Sequence, residues 1–544
     1  MKGPRGPEGE TPEVVVNCGS CGLAVGAGEV AEAAERFFKE RGLEGRVKRA
    51  GCMGLCFAEP LMVVGGAGLP SVVYRNVRPE DVSRILESHL LEGLPSREFA
   101  LGTLGEGIEG IPRVEDFPFW TLQERRVLFR CGFSDPTDIE DYIASGGYSG
   151  LERALKVGPE GVVEEVKRSG LRGRGGAGFP TGLKWELTRK REAEERFVIC
   201  NAAEGDVGAF MDRVLLEGDP HLILEGLIIA GFAVGARKGF VYVRSEYELA
   251  AQRMRRAVEQ ARERGFLGER VLGTSFSFEV EVFQAVGMFV CGEETALINS
   301  MEGRRGNPRA RPPYPTEAGL WGRPTVVNNV KTLANVSLIL RFGADWFKEV
   351  GTERSPGTAL VALSGQVERP GVYEVPMGMP IREVVGRIGG ASEVKAVQTG
   401  GPLGGLLPGG MLDLPLDFEG MMEAGSPLGA GGIVVLGEGV CIVDATRWVV
   451  EFVAAESCGY CVPCRLGTRQ MLEILADISE GRGKEGDLDL LLDIAEALRV
   501  GSFCAMGQRA PTIVISALRH FRREFEEHIL KKRCPAGACP VSQK

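Results

Sequence analysis

The sequence predicts a multidomain α/β protein that ends in a bundle of helices. Three observations carry this. A chain of 544 residues is too long for a single hydrophobic core and should form about three to five domains. Segments such as RFVICNAAEGD and GFVYVRSEY read as strands that end in polar turns, where α/β sheets usually carry their ligand contacts. The carboxy-terminal region holds amphipathic segments beginning near Asp444, Arg465, Asp487 and Pro511, and four such helices suggest a bundle.

Composition removes several classes of function. The net charge is -10 with no long basic run at either end, so nucleic acid is not an expected partner. The first residues, MKGPRGPEGETPE, lack the apolar core of a signal peptide. The most apolar stretch, Leu222 to Ala236, contains Glu225 and glycines, which reads as a buried helix and not as a membrane span. The expectation is a cytoplasmic protein. Fourteen cysteines in such a chain point to thiolate ligands, because cytosolic thiols stay reduced.

Residues 1–95 read as strand (EVVVN), helix (about Glu29 to Arg41), strand (RVKRA), two further strands (LMVVGG, SVVYRNV) and a closing helix from Pro79. Cys18 and Cys21 follow the first strand, and Cys52 and Cys56 the second. Two such pairs on neighbouring loops can offer four thiolates to a 2Fe-2S cluster; the alternative is a redox disulfide at Cys18-x-x-Cys21. The segment GCMGLCFAEP resembles the thioredoxin-like ferredoxin domains of NADH-oxidising complexes, which favours the cluster. Those domains usually space their first two cysteines more widely, which puts either Cys18 or Cys21 in question. Residues 96–120, rich in glycine and proline, read as a linker.

The next unit, 121–350, is organised around LRGRGGAGFPTGLKW, Leu171 to Trp185. Its glycines let the backbone take positive φ and lie bare against a ligand. Pro180 and Thr181 then open a helix whose amino terminus favours an anion. The phosphate of a flavin or nucleotide suits such a loop. Gly173-x-Gly175-x-x-Gly178 also matches the dinucleotide fingerprint, but the preceding VEEVKRSG is charged and helical where that motif needs a strand. Asn201 and Glu204 sit at one predicted strand end, and RPPYP and RPTVVNN read as loops returning to the same edge. Taken alone, Glu293 and Glu294 are a solvated acidic pair at a helix start. Cys200 and Cys291 read as buried small hydrophobes.

Together LRGRGGAGFPTGLKW, CNAAEGD, CGEETALINSMEG, RPPYP and GLWGRPTVVNNVKTL, with the cysteine motif below, resemble the NADH- and FMN-binding subunits of complex I. They also resemble the diaphorase subunits of multimeric hydrogenases and formate dehydrogenases. The likeness implies a Rossmann-like FMN and NADH domain. It places Gly173, Gly175, Lys184, Asn201, Glu204, Glu293, Asn328 and Asn329 around FMN, and Phe179, Asp206, Glu294, Arg311 and Tyr314 near the nicotinamide nucleotide. Lys184 can pair with phosphate, asparagines can read the flavin's donors and acceptors, and Phe179 can stack. Four positions depart from the family pattern: Ala203 for an acid, Asp206 for Glu, Phe289 for Tyr and Arg311 for Lys. A shorter acid and a guanidinium suit a 2′-phosphate, so NADPH is expected to be accepted beside NADH.

Residues 355–425 change to short strands (TALVALSG, GVYEVP), a helix (IREVVGRIGG) and glycine-rich turns, resembling the ubiquitin-like β-grasp module of the family. In 430–544, Cys458-x-x-Cys461-x-x-Cys464 with a remote Cys504 is a 4Fe-4S pattern, because one short loop can wrap three corners of the cubane; zinc is the alternative. The tail adds His528, Cys534 and Cys539, and Cys441 stands upstream. Three thiolates and an imidazole suit a tetrahedral zinc if the fold brings Cys441 close. The rival reading of the tail is the start of a carboxy-terminal ferredoxin.

The resemblance implies a diaphorase subunit that exchanges electron pairs with NAD(P)H at FMN and single electrons with iron–sulfur clusters. Its partners would be a small 2Fe-2S subunit and a hydrogenase, formate dehydrogenase or respiratory module. A non-catalytic electron conduit is the contrasting reading.

Overall fold

The computed structural model describes residues 9, 11–286 and 288–543. In the first sheet, β1 (Glu13–Asn17), β2 (Arg46–Ala50), β3 (Met62–Gly66), β4 (Leu69–Tyr74) and β5 (Ala100–Leu104) lie in the order β2-β1-β3-β4-β5. Only the β1–β2 pair is parallel. Side chains alternate along a strand, so Val14 and Val16 enter a core with Phe37 and Phe38 of the helix Ala27–Arg41. Val15 enters a different core on the other face.

Strand β5 falls inside the stretch expected to be a linker. Gly102 reads as punctuation in sequence, yet here its missing side chain admits a neighbouring segment. A Cβ at Gly102 would lie 2.8 Å from the carbonyl oxygen of Pro112, so glycine marks close backbone approach and not a break.

The second sheet contains β6 (Phe197–Ala202), β7 (Lys238–Arg244), β8 (Glu279–Ala285) and β9 (Thr325–Asn329), all parallel in the order β8-β7-β6-β9. The helices Ser149–Ser169, Pro220–Val234 and Val330–Phe342 share its core. Pro220–Val234 covers the most apolar stretch of the sequence, and it is buried. It packs tightly because Gly226 leaves room for the backbone of Leu333, whose oxygen would lie 2.1 Å from a Cβ there. Among the described residues, no helix is long and apolar enough to cross a membrane.

The third sheet has β10 (Thr358–Gly365), β11 (Gly371–Pro376), β12 (Ala396–Thr399), β13 (Gly405–Pro408) and β14 (Gly432–Leu436) in the order β11-β10-β14-β12-β13. Strand β14 is central, so this unit runs past the boundary expected at 425–430. The glycine-rich GAGG that opens β14 is a tight entry into the sheet, with Gly431 at φ 111. The helices Ile442–Ala455, Val462–Ser479, Asp487–Gly501 and Thr512–Leu530 then pack around Met471, Leu475, Leu491 and Val514.

Candidate functional site

The glycine loop lies across the carboxy-terminal edge of the second sheet. Its ends are tied by Gly173 N–H to the Phe179 carbonyl at 2.9 Å and by Thr181 N–H to the Leu171 carbonyl at 2.9 Å. The middle approaches the loop before β14, where a Cβ on Gly176 would stand 3.2 Å from the Gly429 backbone, and it has Gly176 at φ 111 and Gly178 at φ 64, angles that side-chain-bearing residues rarely take. Gly175 approaches β9 so closely that a Cβ would stand 3.0 Å from that of Asn329. The helix Thr181–Arg189 follows. From it Lys184 Nζ reaches Glu294 Oε2 at 3.1 Å and the Val327 carbonyl at 3.2 Å, with the half-exposed Phe179 ring 5.9 Å away.

Strands β6 and β9 end side by side, with Cys200 paired to Asn328 and Asn201 to Asn329. Asn328 Oδ1 accepts from the buried Trp185 indole at 2.8 Å. Asn201 Nδ2 donates to the Gly292 carbonyl at 2.9 Å. Glu293 caps the helix Glu294–Met301 by accepting from Thr295 and Ala296 N–H, and Arg311 is ion-paired with both Glu293 and Glu294. Tyr314 stands exposed just beyond. The residues named from the sequence for flavin and nucleotide thus meet at or beside one sheet edge. Their neighbour Asp206 lies against Gly401 of the third sheet's loop. A cavity of about 570 Å³ beside Arg304, Arg309 and Trp321 includes neither the glycine loop nor the asparagines, and its two arginines already pair with Glu302.

Two further residues sit at the centre of this edge. Asp212 Oδ2 accepts from Asn329 Nδ2 at 2.5 Å, and Asp212 Oδ1 lies 2.8 Å from the buried Lys331 Nζ. Glu204 accepts from the N–H groups of Asp212 and Arg213 at 3.0 and 3.1 Å. Burial, and next Asp212, push the Glu204 carboxyl up, while Lys331 opposes the shift. Burial raises Asp206 to about 6. Sequence reasoning missed Asp212 and Lys331. The signal that could have found them is a charge in the first turn of an apolar helix, MDRVLLEG and VKTLANVSLILRF.

The cysteines Cys458, Cys461, Cys464 and Cys504 line one small cavity with Pro308, Tyr460, Phe503 and Met506. Arg465 fixes the loop by donating to the Gly459 carbonyl at 2.6 Å, and Arg305 donates to the Cys458 carbonyl. Phe289 beside Gly292 contacts Phe452, and its N–H donates to Glu456 at 2.6 Å. The flavin-type edge and the cysteine loop therefore lean on the same helix.

Known proteins share this arrangement. A sequence model described as the Nuo51 FMN-binding domain matches residues 166–338, the NADH-ubiquinone oxidoreductase-F iron-sulfur binding region matches 444–528, and an SLBB domain matches 360–407. The NADP-reducing hydrogenase subunit HndC of Solidesulfovibrio fructosivorans is 48% identical over 77% of this chain and 86% of its own length. The second F-type subunit of NADH-quinone oxidoreductase from Rhizobium meliloti is 44% identical, over 73% and 96%. The chain belongs to the family of F-type subunits of NADH-quinone oxidoreductase. The crystal structure of an NAD+-reducing [NiFe]-hydrogenase in the H2-reduced state matches with a TM-score of 0.67 at 30% identity, covering 96% of this chain and 85% of that one.

Two more cysteine groups have their thiols outside the residues matched by the FMN and iron-sulfur models. Cys441, His528, Cys534 and Cys539 are buried with their ligand atoms all within 4.8 Å of one another. His528 Nδ1 contacts the Glu524 carbonyl at 2.7 Å. A carbonyl only accepts, so Nδ1 carries the proton and Nε2 presents its lone pair to the thiols, 3.1 Å from Cys539 and 3.5 Å from Cys441. At the amino terminus, the Cys56 thiol lies beside those of Cys21 and Cys52, and Arg213 donates to Cys21 at 3.3 Å. Cys18 is not with them. It continues the face of Val14 and Val16 into the core under the helix Ala27–Arg41, where its thiol meets the Ala27 carbonyl. Of the four expected cysteines, Cys21, Cys52 and Cys56 thus adjoin one another, and the neighbour of Cys21 is Cys56 in place of Cys18. Cys200 and Cys291 are buried, as expected.

Proposed function

We propose that this chain is the flavoprotein diaphorase subunit of a multimeric oxidoreductase, oxidising NAD(P)H, or reducing NAD(P)+, at FMN and exchanging single electrons with a 4Fe-4S cluster. The observation that carries this is the bare glycine loop lying on Asn329, with Lys184 and the acidic pair beside it and a four-cysteine pocket one helix away. FMN supplies hydride acceptance and one-electron release. The chain supplies position. Backbone N–H groups of the loop and Lys184 hold the phosphate end, Asn201, Asn328 and Asn329 with Glu204 and Glu293 orient the ring system, and Phe179, Asp206, Glu294, Arg311 and Tyr314 receive the nucleotide. Cys458, Cys461, Cys464 and Cys504 hold the cubane. Purified protein should release FMN on denaturation and show nicotinamide-dependent bleaching of the flavin band; protein that never carries flavin refutes the reading.

In this reading residues 1–95 form a thioredoxin-like domain with a 2Fe-2S cluster, 121–350 a Rossmann-like domain, 355–425 with β14 a β-grasp module, and 430–544 a four-helix bundle. Cys441, His528, Cys534 and Cys539 bind a structural zinc. Ligands at Zn–S distances of about 2.3 Å stand roughly 3.8 Å apart in a tetrahedron, a span the buried group can meet. The partner is a soluble hydrogenase with a small 2Fe-2S subunit, and the location cytoplasmic. NADPH serves beside NADH; the relative HndC is by its name a subunit of an NADP-reducing hydrogenase. Here Arg311 must exchange Glu293 for the 2′-phosphate, which steady-state dye reduction with each nucleotide tests.

A further inference from the structure

Three of the four amino-terminal cysteines converge, which leaves a 2Fe-2S cluster one ligand short. The strand residue that faces the cysteine loop is Asn17, one place before Cys18. Asn17 is spent: its Oδ1 accepts from Met53 N–H at 3.0 Å and its Nδ2 donates to the Gly132 carbonyl at 3.1 Å. Cys131 is the remaining thiol near Cys52, but it is fully buried and its sulfur packs against Gly218, beyond Gly132.

Glu59 follows Cys56 by three residues and turns back into the group. Its Oε1 lies 3.6 Å from the Cys52 sulfur, which donates to it, and its Oε2 accepts from Leu61 N–H at 3.0 Å. It also stands beside the Cys21 segment, where a Cβ on Gly22 would lie 3.1 Å from Glu59 Oε2. The carboxylate thus touches both halves of the site, where Cys18 touches neither.

We propose that Glu59, and not Cys18, completes the ligand set of the amino-terminal 2Fe-2S cluster with Cys21, Cys52 and Cys56. The inference rests on the cluster reading above and sharpens it. Carboxylate oxygen is an accepted donor to iron, harder than thiolate. Three thiolates and one carboxylate leave the cluster with the net charge that four thiolates give, each ligand losing one proton on binding. Arg213, already on Cys21, stays available to that charge.

The test uses the full-length chain, reconstituted anaerobically with iron and sulfide. The reduced 2Fe-2S centre is followed by electron paramagnetic resonance at a temperature where 4Fe-4S signals have broadened away, and bound flavin reports that each variant is folded. Cys18→Ser and Cys131→Ser should keep the wild-type signal. Glu59→Gln should lose it or shift its g-values, with iron per chain falling by up to two. Loss of the signal in flavin-replete Cys18→Ser, or an unchanged signal in Glu59→Gln, overturns the assignment while leaving the cluster itself in place. A wild-type chain with no 2Fe-2S signal removes the cluster reading and this inference together.

Discussion

Lys331 decides how rigid the flavin edge is. Its ammonium is 2.8 Å from Asp212, although the angle makes this an ionic contact and not a directed hydrogen bond. Asp212 in turn holds the Asn329 amide that faces Gly175. Lys331→Met keeps the volume but strands a buried carboxylate, and breaking a buried pair in this way costs about 3–5 kcal/mol. The expected result is a lower melting temperature and weaker FMN binding, read by flavin fluorescence titration; Asp212→Asn with Lys331→Met should recover part of both. Asp206 gives the edge a pH dependence. Its folded pKa of about 6 exceeds the ordinary 3.8, so its proton is held more tightly in the folded chain. Its contribution to stability is therefore full below about pH 4 and lost as pH rises through about 6. Asp206→Asn should flatten the fall in melting temperature across that window by a few degrees, measured on flavin-free protein; an unchanged slope assigns it to Glu204, whose carboxyl shifts the same way.

The tail shares an apolar core with the helix Ile442–Ala455, and a metal would add a direct tie between them. Cys441 caps that helix, and His528 ends another from which Cys534 and Cys539 depart. The Cys534→Ser, Cys539→Ser double variant should lose zinc, keep its cluster iron, and melt several degrees lower by elemental analysis and calorimetry. The members of this group are legible in sequence because residue type and number announce a metal site. What sequence leaves open is whether Cys441 returns, since that depends on two helices meeting. The place of Cys18 has a different origin. A C-x-x-C pattern suggests two ligands on one loop, but Cys18 still belongs to the strand, and period two turns it to the face of Val14 and Val16. Strands β5 and β14 escape a sequence reading for one shared reason: glycines that look like breaks are sites of close packing. The glycine loop, by contrast, is legible because four glycines in six residues serve no purpose in a core.

At the scale of the whole molecule, the amino-terminal unit is not separable in the way its sequence suggests. Val15, Met53, Leu55, Val63, Val73 and Leu101 of the first unit share one core with Val361, Leu363, Tyr373 and Val375 of the third. A Cβ on Gly54 would lie 2.3 Å from the Val372 carbonyl, and Val372 N–H donates back to the Gly54 carbonyl at 2.9 Å, so the cysteine loop is bonded to β11. Arg253 likewise reaches the Cys18 carbonyl at 2.7 Å from the flavin side. A fragment ending at residue 95 removes β5, leaves β4 as a bare edge and exposes an apolar face of the sheet, which invites edge pairing and aggregation. The expected outcome is that fragment 1–95 is found in the insoluble fraction or melts without a cooperative transition, whereas in the full chain amide exchange of β1 and β3 is as slow as that of β10. A soluble, cooperatively folded 1–95 fragment would show that the shared core contributes little, and that the sheet holds its ligands without the flavin-bearing body.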